Sequence, residues 1–296
     1  MSTRIFSYGS INVDHIYQMP HLVAPGETLA STEYRQVLGG KGANQSIAAA
    51  KAGVPVLHIG RYGKADSWVQ DQLQDAGVDC RRVAAVDTPS GHAIIQVDVH
   101  AENSIILFAG ANHSFRKDEL SGLLEGAVAG DWLLLQNECS CTAEMISTAA
   151  AKGMQVAFNP SPMDDSVRAL PLHELSLLVV NEIEVQQLLD CDGLDQDQLV
   201  AALRERLPTT RVVVTFGAKG ALWVDADTEI FVPALQVEAV DTTAAGDTFL
   251  GYLLAALCQQ ASPKTALERG CKASSLAVQK VGASVSIPDR ADVDQL

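Results

Sequence analysis

The feature that most constrains the fold of this chain is a repeated alternation of short apolar runs with helix-like segments. The runs are rich in aliphatic and β-branched residues and are bounded by turn residues, as buried strands are. They occupy residues 5–8, 54–60, 131–136, 154–160, 175–181 and 209–217, and helical patterns fill residues 42–53, 65–77, 142–153 and 182–189. This order predicts an α/β fold with a central, mostly parallel sheet covered by helices on both faces.

Two segments interrupt this alternation. Residues 15–37 mix polar and apolar side chains, and residues 91–108 alternate in polarity on both sides of the turn-like stretch HAENS, the pattern of a hairpin with one solvated face. Insertions at the carboxyl ends of parallel strands lie where open α/β sheets bind ligands. We therefore expect both segments to form strands outside the main sheet and to act as a lid.

The composition excludes several classes of protein. A net charge of −15, without any cluster of Lys and Arg, argues against nonspecific nucleic-acid binding. The apolar run at residues 249–258 is too short to cross a bilayer, and the first residues do not resemble a secretory signal. The six cysteines form no CxxC pair, which favours reduced, mostly buried thiols. We expect a cytoplasmic protein with neither a nucleic-acid nor a membrane partner.

The stretch AVDTTAAGDTFLG, residues 239–251, places an acid behind very small side chains at the start of a helix-like run. The first turn of a helix carries N–H groups without intrahelical acceptors, and its dipole favours an anion. Asp247 could therefore accept a proton from a hydroxyl that attacks a phosphate held by these amides. Taken alone, such an acid is more often an ordinary first-turn residue.

Three further turns are weak signals when taken singly. LGGKGANQ (residues 38–45) opens a helix, but it is not a Walker A loop because Gly42 follows Lys41. TFGAKG (residues 215–220) follows a buried strand, and its glycines allow a backbone to approach adenine or phosphate. NEIE (residues 181–184) begins a helix, where Asn181 is also explained as an N-cap.

The order of the motifs is more informative than any one of them. They are GSINVDH near the start, PGET (residues 25–28), LGGKGANQ, NPSP (residues 159–162), NEIE, TFGAKG, AVDTTAAGDTF and the closing VGASVSIP. In this order they resemble the ribokinase family of carbohydrate kinases, also called the phosphofructokinase B family, over essentially the whole chain. The resemblance implies a three-layer α/β/α ribokinase-like fold and one domain over residues 1–296. Its small β-sheet lid would come from about residues 15–37 and 91–108 and would form a homodimer.

The resemblance also implies ATP-dependent phosphorylation of a sugar hydroxyl. Asp247 matches the family's catalytic base, and the amides of Ala245, Gly246 and Asp247 match its anion hole. Phosphoryl transfer depends mainly on positioning and charge stabilisation, so little other protein chemistry is needed. Besides Asp247, the positions that match sugar-binding residues are Asn12, Asp14, Gly40, Lys41, Gly42, Asn44 and Glu138. Lys41 would contact both sugar and phosphate.

Further positions match the nucleotide and cation sites of the family. The nucleotide set is Asn181, Thr215, Gly217, Gly220, Gly246 and Cys271, with Cys271 replacing the histidine expected beside adenine. Glu184 completes a motif linked to Mg²⁺ through water. The set implied for K⁺ is Asp241, Thr243, Ala277, Lys280, Gly282 and Ser286. Most of those contacts would be backbone; Lys280 would contribute only its carbonyl, because an ammonium is no cation ligand.

The choice of substrate is less constrained than the family. Ala244 within DTTAAGD, together with NVD and GGKGAN, favours D-ribose and hence a ribokinase. Deoxyribose or another pentose stays open, because a few side chains can discriminate one hydroxyl. Fructokinase and adenosine kinase fit the motifs less well, and ketodeoxygluconate kinase is disfavoured because only Lys41 supplies a cation near the sugar turn. A non-catalytic sugar sensor on the same fold is the alternative from another class.

Overall fold

The computed structural model describes residues 3–100 and 102–296. The strands are β1 (Ile5–Tyr8), β2 (Asn12–Gln18), β3 (Glu33–Gly39), β4 (Val56–Gly63), β5 (Asp79–Val86), β6 (Gly91–Val97), β7 (Asn103–Phe108), β8 (Trp132–Gln136), β9 (Gln155–Asn159), β10 (Leu177–Asn181), β11 (Arg211–Thr215), β12 (Gly220–Val224) and β13 (Glu229–Pro233). The helices are α1 (Lys41–Lys51), α2 (Trp68–Asp75), α3 (Leu120–Leu123), α4 (Thr142–Ala151), α5 (Glu182–Leu189), α6 (Gln196–Arg206), α7 (Ala245–Cys258), α8 (Pro263–Ala277) and α9 (Arg290–Asp294).

Nine of the described strands form one sheet in the order β13-β12-β11-β10-β9-β8-β1-β4-β5. The strands from β11 to β5 are parallel, and β12 and β13 add an antiparallel edge. One hydrophobic core lies between the sheet and α1, α7 and α8, and a second lies on the opposite face under α4, α5 and α6. The predicted α/β architecture with a mostly parallel sheet is confirmed.

The chain reverses its winding direction at β1, which lies between β8 and β4. Beyond the carboxyl ends of strands at such a reversal, open α/β sheets form a ligand-binding crevice. Here α1 begins so close to the turn after β1 that a Cβ on Gly42 would overlap the Cα of Gly9. Glycine is therefore required at this crossing, and it brings the start of α1 to the crevice.

The remaining four described strands form a separate sheet in the order β3-β2-β6-β7. Strands β6 and β7 are antiparallel, as the alternation in residues 91–108 predicts. Strand β2 begins at Asn12, ahead of the predicted segment, because Asn12 and Val13 pair with the end of β3 on one side and with the start of β6 on the other. The action of this sheet as a lid, and the assignment of residues 1–296 to one domain, stay predictions. No helix among the described residues has the length and hydropathy that a membrane span requires.

Candidate active site

Asp247 lies in the first turn of α7, where this helix meets α1 at the carboxyl edge of the main sheet. Its Oδ2 accepts a hydrogen bond from Asn44 Nδ2 at 3.0 Å, and its Oδ1 accepts one from Gln45 Nε2 at 2.9 Å. Burial raises the pKa of Asp247, and the Lys41 charge and the two amides offset part of that rise. The carboxylate is thus held in a fixed orientation with an elevated proton affinity.

The backbone before Asp247 forms a tight turn into α7. Ala244 adopts a left-handed conformation at φ 58°, and no side chain caps the helix. The N–H of Ala245 donates to the carbonyl of Thr242 at 3.2 Å, so this amide is less available than predicted. The N–H groups of Gly246 and Asp247 have no acceptor within the described chain. These two amides, with the helix dipole, form an open anion-binding position.

Lys41 stands at the start of α1 among several carboxylates. Its burial disfavours the ammonium, but the negative charges of Asp247, Glu138, Glu184 and Asp14 outweigh burial and raise its pKa. No carboxylate of the described residues lies within ion-pair distance of its Nζ. A charged, unpaired amine is therefore available to an anionic ligand.

Asp14 lies in β2 against the bare backbone of β3. A Cβ on Gly39 would overlap the Asp14 carboxylate, so the glycine at the end of β3 leaves room for it. Burial, and then the nearby Glu138 charge, raise the pKa of Asp14 to about 6, although Lys41 acts in the opposite direction. The sequence pattern did not indicate this role of Gly39.

Asn12 and Glu138 are held partly by Asn112 and Ser10, which the sequence analysis did not select as site residues. Asn12 Oδ1 accepts a hydrogen bond from Asn112 Nδ2 at 2.7 Å, which leaves its amide as a donor. Glu138 Oε2 accepts hydrogen bonds from Ser10 Oγ and, at 3.2 Å, from the Lys41 N–H. Ser10 Oγ also accepts from the Gly42 N–H at 3.1 Å, so Glu138 and Ser10 together fix the glycine turn before α1.

Two cavities meet at the start of α7. The larger, of about 250 Å³, is lined by the predicted nucleotide residues Thr215, Gly217, Gly220, Gly246 and Cys271. Its other walls are mainly apolar and include Leu235, Val237 and Phe249. The smaller, of about 180 Å³, is lined by Lys41, Asn181, Glu184 and Asp247, among others. Of the predicted sugar residues, Asn12, Asp14, Gly40, Gly42, Asn44 and Glu138 line neither cavity.

Cys271 forms part of the wall of the larger cavity and is almost fully buried. Burial is the main cause that raises the pKa of its thiol to about 11. The side chain is therefore neutral at physiological pH and provides an apolar surface, where a histidine would provide a ring that can bond a ligand.

Asn181 and Glu184 form a capping box at the start of α5. Asn181 Oδ1 accepts from the N–H groups of Ile183 and Glu184, and Glu184 Oε2 accepts from the Asn181 N–H at 2.9 Å. The interpretation of Asn181 as an N-cap is therefore correct, and its Oδ1 is the atom that caps the helix. The Asn181 amide group and the other Glu184 oxygen remain for a ligand in the smaller cavity.

The six residues predicted to bind K⁺ come from the loop before α7 and from the end of α8 with the segment that follows it, and these two parts of the chain touch. Asp241 Oδ2 accepts from the Gly282 N–H at 2.8 Å, and Asp241 Oδ1 accepts from the Thr243 N–H at 2.9 Å. The Ser286 hydroxyl is buried and donates to the Ala283 carbonyl, while the Ala277 carbonyl accepts from the Lys280 N–H at 3.0 Å. The loop before α7 is thereby tied to the segment that follows α8.

The chain belongs to the pfkB family of carbohydrate kinases, whose sequence model matches residues 2–290. The predicted family and fold are thus confirmed. Ribokinase of Haemophilus influenzae is 34% identical over 294 residues, which cover 95% of this chain and 94% of that protein. Deoxyribokinase of Salmonella typhi is 31% identical over 291 residues, with coverage of 95% and 94%. The structure of Arabidopsis thaliana ribokinase complexed with ribose and ATP matches with a TM-score of 0.88 at 28% identity, covering 99% of this chain and 98% of that one.

Proposed function

We propose that this protein is an ATP-dependent ribokinase that transfers the γ-phosphoryl group of ATP to the 5-hydroxyl of D-ribose. The observation that carries the proposal is the position of Asp247, at a helix N-terminus with two open amides and beside the unpaired Lys41 ammonium. Full-length similarity to ribokinases, one of them described with ribose and ATP, supports the choice of substrates.

Asp247 acts as the general base in this proposal. Its carboxylate accepts the proton of the 5-hydroxyl while the sugar oxygen bonds to the γ-phosphorus and the bond from phosphorus to the ADP oxygen breaks. The elevated pKa of Asp247 suits it to this proton transfer. The Gly246 and Asp247 amides, the α7 dipole and Lys41 stabilise the charge on the transferred group.

The sugar would lie between the small sheet and the start of α1. Asp14 and the Asn12 amide contribute an acceptor and a donor from β2, and Asn44 contributes from α1. Asn44 Oδ1 is buried and has no partner within the described residues, so a sugar hydroxyl can satisfy it. The backbone of Gly40 and Gly42, the Lys41 side chain and Glu138 complete the proposed sugar site.

ATP would occupy the two joined cavities. The adenine lies in the larger, apolar cavity beside Cys271, with Thr215, Gly217 and Gly220 along its wall. The phosphates lie in the smaller one, between the Asn181 amide, Gly246 and Lys41. The wall shared by the two cavities, formed by Thr215, Thr242, Ala245 and Gly246, would then lie between the adenine and the transferred phosphoryl group.

The residues present fit both predicted cations. Glu184 lines the phosphate cavity, and the capping box uses only its Oε2, so Oε1 would be available to hold a water ligand of Mg²⁺, which neutralises phosphate charge when bound. The contact between Asp241 and Gly282 brings the two K⁺ loops together, and their carbonyl and hydroxyl oxygens are the donors that such an ion prefers. Within the described residues, no three His, Cys, Asp or Glu side chains form a metal cluster, so these sites would depend on backbone, water and phosphate oxygens.

The same proposal includes a homodimer through the small sheet and a cytoplasmic location. Ile105, Ile106, Leu107 and Phe108 of the edge strand β7 are all at least 49% exposed, an apolar edge that a second copy could cover. All six cysteines are free, which fits a reducing, ATP-containing compartment.

Direct quantification of ADP with ribose, deoxyribose, fructose, adenosine and ketodeoxygluconate tests the proposal. We expect the highest kcat/KM for ribose. A preference for deoxyribose would instead place the chain with its deoxyribokinase relatives. If no compound raises ADP release above the sugar-free rate while ribose still binds, the protein is a sugar sensor and the kinase proposal fails.

A further inference from the structure

We infer that Gln45 is a positioning residue for phosphoryl transfer, which holds the Asp247 carboxylate in one orientation through a relay of buried amides. The inference rests on the proposed role of Asp247 as the base. Gln45 follows Asn44 in α1 and ends the motif LGGKGANQ, but the sequence analysis gave it no role in the site.

The relay runs from the main sheet to the carboxylate. Gln136, at the end of β8, donates from Nε2 to Gln45 Oε1 at 2.7 Å. Gln45 Nε2 in turn donates to Asp247 Oδ1 at 2.9 Å and lies 3.2 Å from Asn159 Oδ1, at the end of β9. Gln45 and Gln136 are fully buried, so water does not compete for these bonds.

The neighbours of Gln45 permit only one orientation of its amide. Asn159 Nδ2 donates to the Val179 carbonyl at 3.0 Å, which turns Asn159 Oδ1 towards Gln45. A flipped Gln45 amide would set its oxygen against the oxygens of Asp247 and Asn159 and its NH₂ against that of Gln136. Gln136 Oε1 is buried without a partner among the described residues. The bond to Gln45 is therefore the one hydrogen bond that the Gln136 side chain forms among the described residues, so Gln136 serves to orient Gln45.

The relay has a chemical consequence at Asp247. One amide donor on each carboxylate oxygen, from Asn44 and Gln45, fixes the plane of the group and stabilises its ionised form. The charged groups that face Asp247 are Lys41 of α1 and Glu138 after β8, while Glu184 of α5 and Asp14 of β2 act on Lys41. Loss of the Gln45 donor, with these charges unchanged, raises the proton affinity of Asp247 and lets its carboxylate rotate.

The test is Gln45→Met in the full chain, with kcat and KM measured across pH by direct ADP quantification. We expect kcat at neutral pH to fall about 10- to 100-fold and the acidic limb of the kcat profile to move to higher pH, with each KM within about twofold of wild type. Ser46→Ala is the matched control, because Ser46 is the next residue of α1, is equally buried and bonds His58 at 2.8 Å instead of Asp247. It should keep the wild-type pH profile.

Gln136→Met provides a second test if Gln45→Met does not fold. It removes the hydrogen bond that orients the Gln45 amide but leaves that amide in place. We expect a smaller change in the same direction. Wild-type kcat and an unmoved acidic limb in the soluble variants would overturn the inference, provided that Asp247→Asn is inactive. An active Asp247→Asn would instead overturn the proposed base itself, so the two failures are distinguishable.

Discussion

Asn44 Nδ2 donates to Asp247 Oδ2 at 3.0 Å and so joins two residues that are 203 positions apart. The bond links the start of α1, where the sugar is proposed to bind, with the start of α7, where the phosphoryl group is proposed to be held. A single side chain can therefore affect both sugar affinity and the state of the base.

Asp14→Ala and Asn44→Ala should accordingly differ. Both should weaken ribose binding far more than ATP binding, because each removes a proposed hydroxyl partner. Only Asn44→Ala also removes a donor from Asp247, so only it should lower kcat at saturating ribose, by about tenfold. Calorimetric titration with each substrate and steady-state kinetics separate the effects. Unchanged ribose affinity with reduced ATP affinity would show that the two subsites are assigned the wrong way round.

Asp247→Asn should lose at least about 10²-fold in kcat while it binds ribose and ATP, because an amide cannot accept the hydroxyl proton. The asparagine is nearly isosteric, so the fold should persist. Turnover is measured at saturating substrates and binding by calorimetry. Near-wild-type turnover would mean that Asp247 is only a helix-capping acid.

The affinity for ribose should decrease as the pH falls through about 6, the pKa to which burial and Glu138 raise Asp14. Above this pH the carboxylate is ionised, and both of its oxygens accept hydrogen bonds from sugar hydroxyls; below it, one of the two oxygens carries a proton and becomes a donor. The dissociation constant of ribose, measured between about pH 5 and 8, should rise on the acidic side. Asp14→Asn is the control, since it does not titrate. If it shows the same pH dependence, another group is responsible.

K⁺ should activate the enzyme without touching the substrates. The Asp241 carboxylate bonds Gly282 and Thr243 just before the anion-binding turn, so a cation held by these loops would fix the amides that point at the phosphate. The rate is measured in alkali-free buffer with added KCl, NaCl or tetramethylammonium chloride, and ADP is quantified directly so that no coupling enzyme responds to K⁺. We expect K⁺ to restore more activity than Na⁺. Equal rates with KCl and tetramethylammonium chloride would remove the monovalent site.

Stability should fall as the pH drops from about 6.5 to about 4, partly because of His58. This residue is fully buried in β4, and burial lowers its pKa from 6.5 to about 4. Between these values the unfolded chain binds a proton that the folded chain does not, so the folded state loses stability on acidification, by about 3 kcal/mol. Urea denaturation of wild type and His58→Gln at several pH values measures the difference. If both lose stability equally over this range, His58 does not contribute.

Local patterns in the sequence determined much of the architecture. Most of the parallel strands were predictable because they are buried on both faces and read as continuous apolar runs between turn residues, as in β8 and β11. The starts of α1 and α7 were predictable because each follows a run of small residues, and at Gly42 the close approach of the Gly9 backbone requires glycine. Strands β5, β12 and β13 were not predicted. Strand β5 carries two arginines, of which Arg81 is exposed, and β13 is a mostly exposed antiparallel edge. Strand β12 is buried throughout, but it is short and follows the glycine turn that was interpreted only as a ligand-binding motif.

The tertiary structure alone decided which polar groups share the site. Ser10, Gln45, Asn112 and Gln136 are ordinary polar residues in the sequence, and no spacing rule connects them with Asp14 or Asp247. They meet because parallel strands bring their carboxyl ends to one edge and because α1 and α7 cross there. Hydrogen bonds between side chains that are distant in sequence depend on this crossing. The orientation of these side chains depends on which donors and acceptors are buried together. A local residue pattern records neither the crossing of the helices nor the set of groups that are buried together.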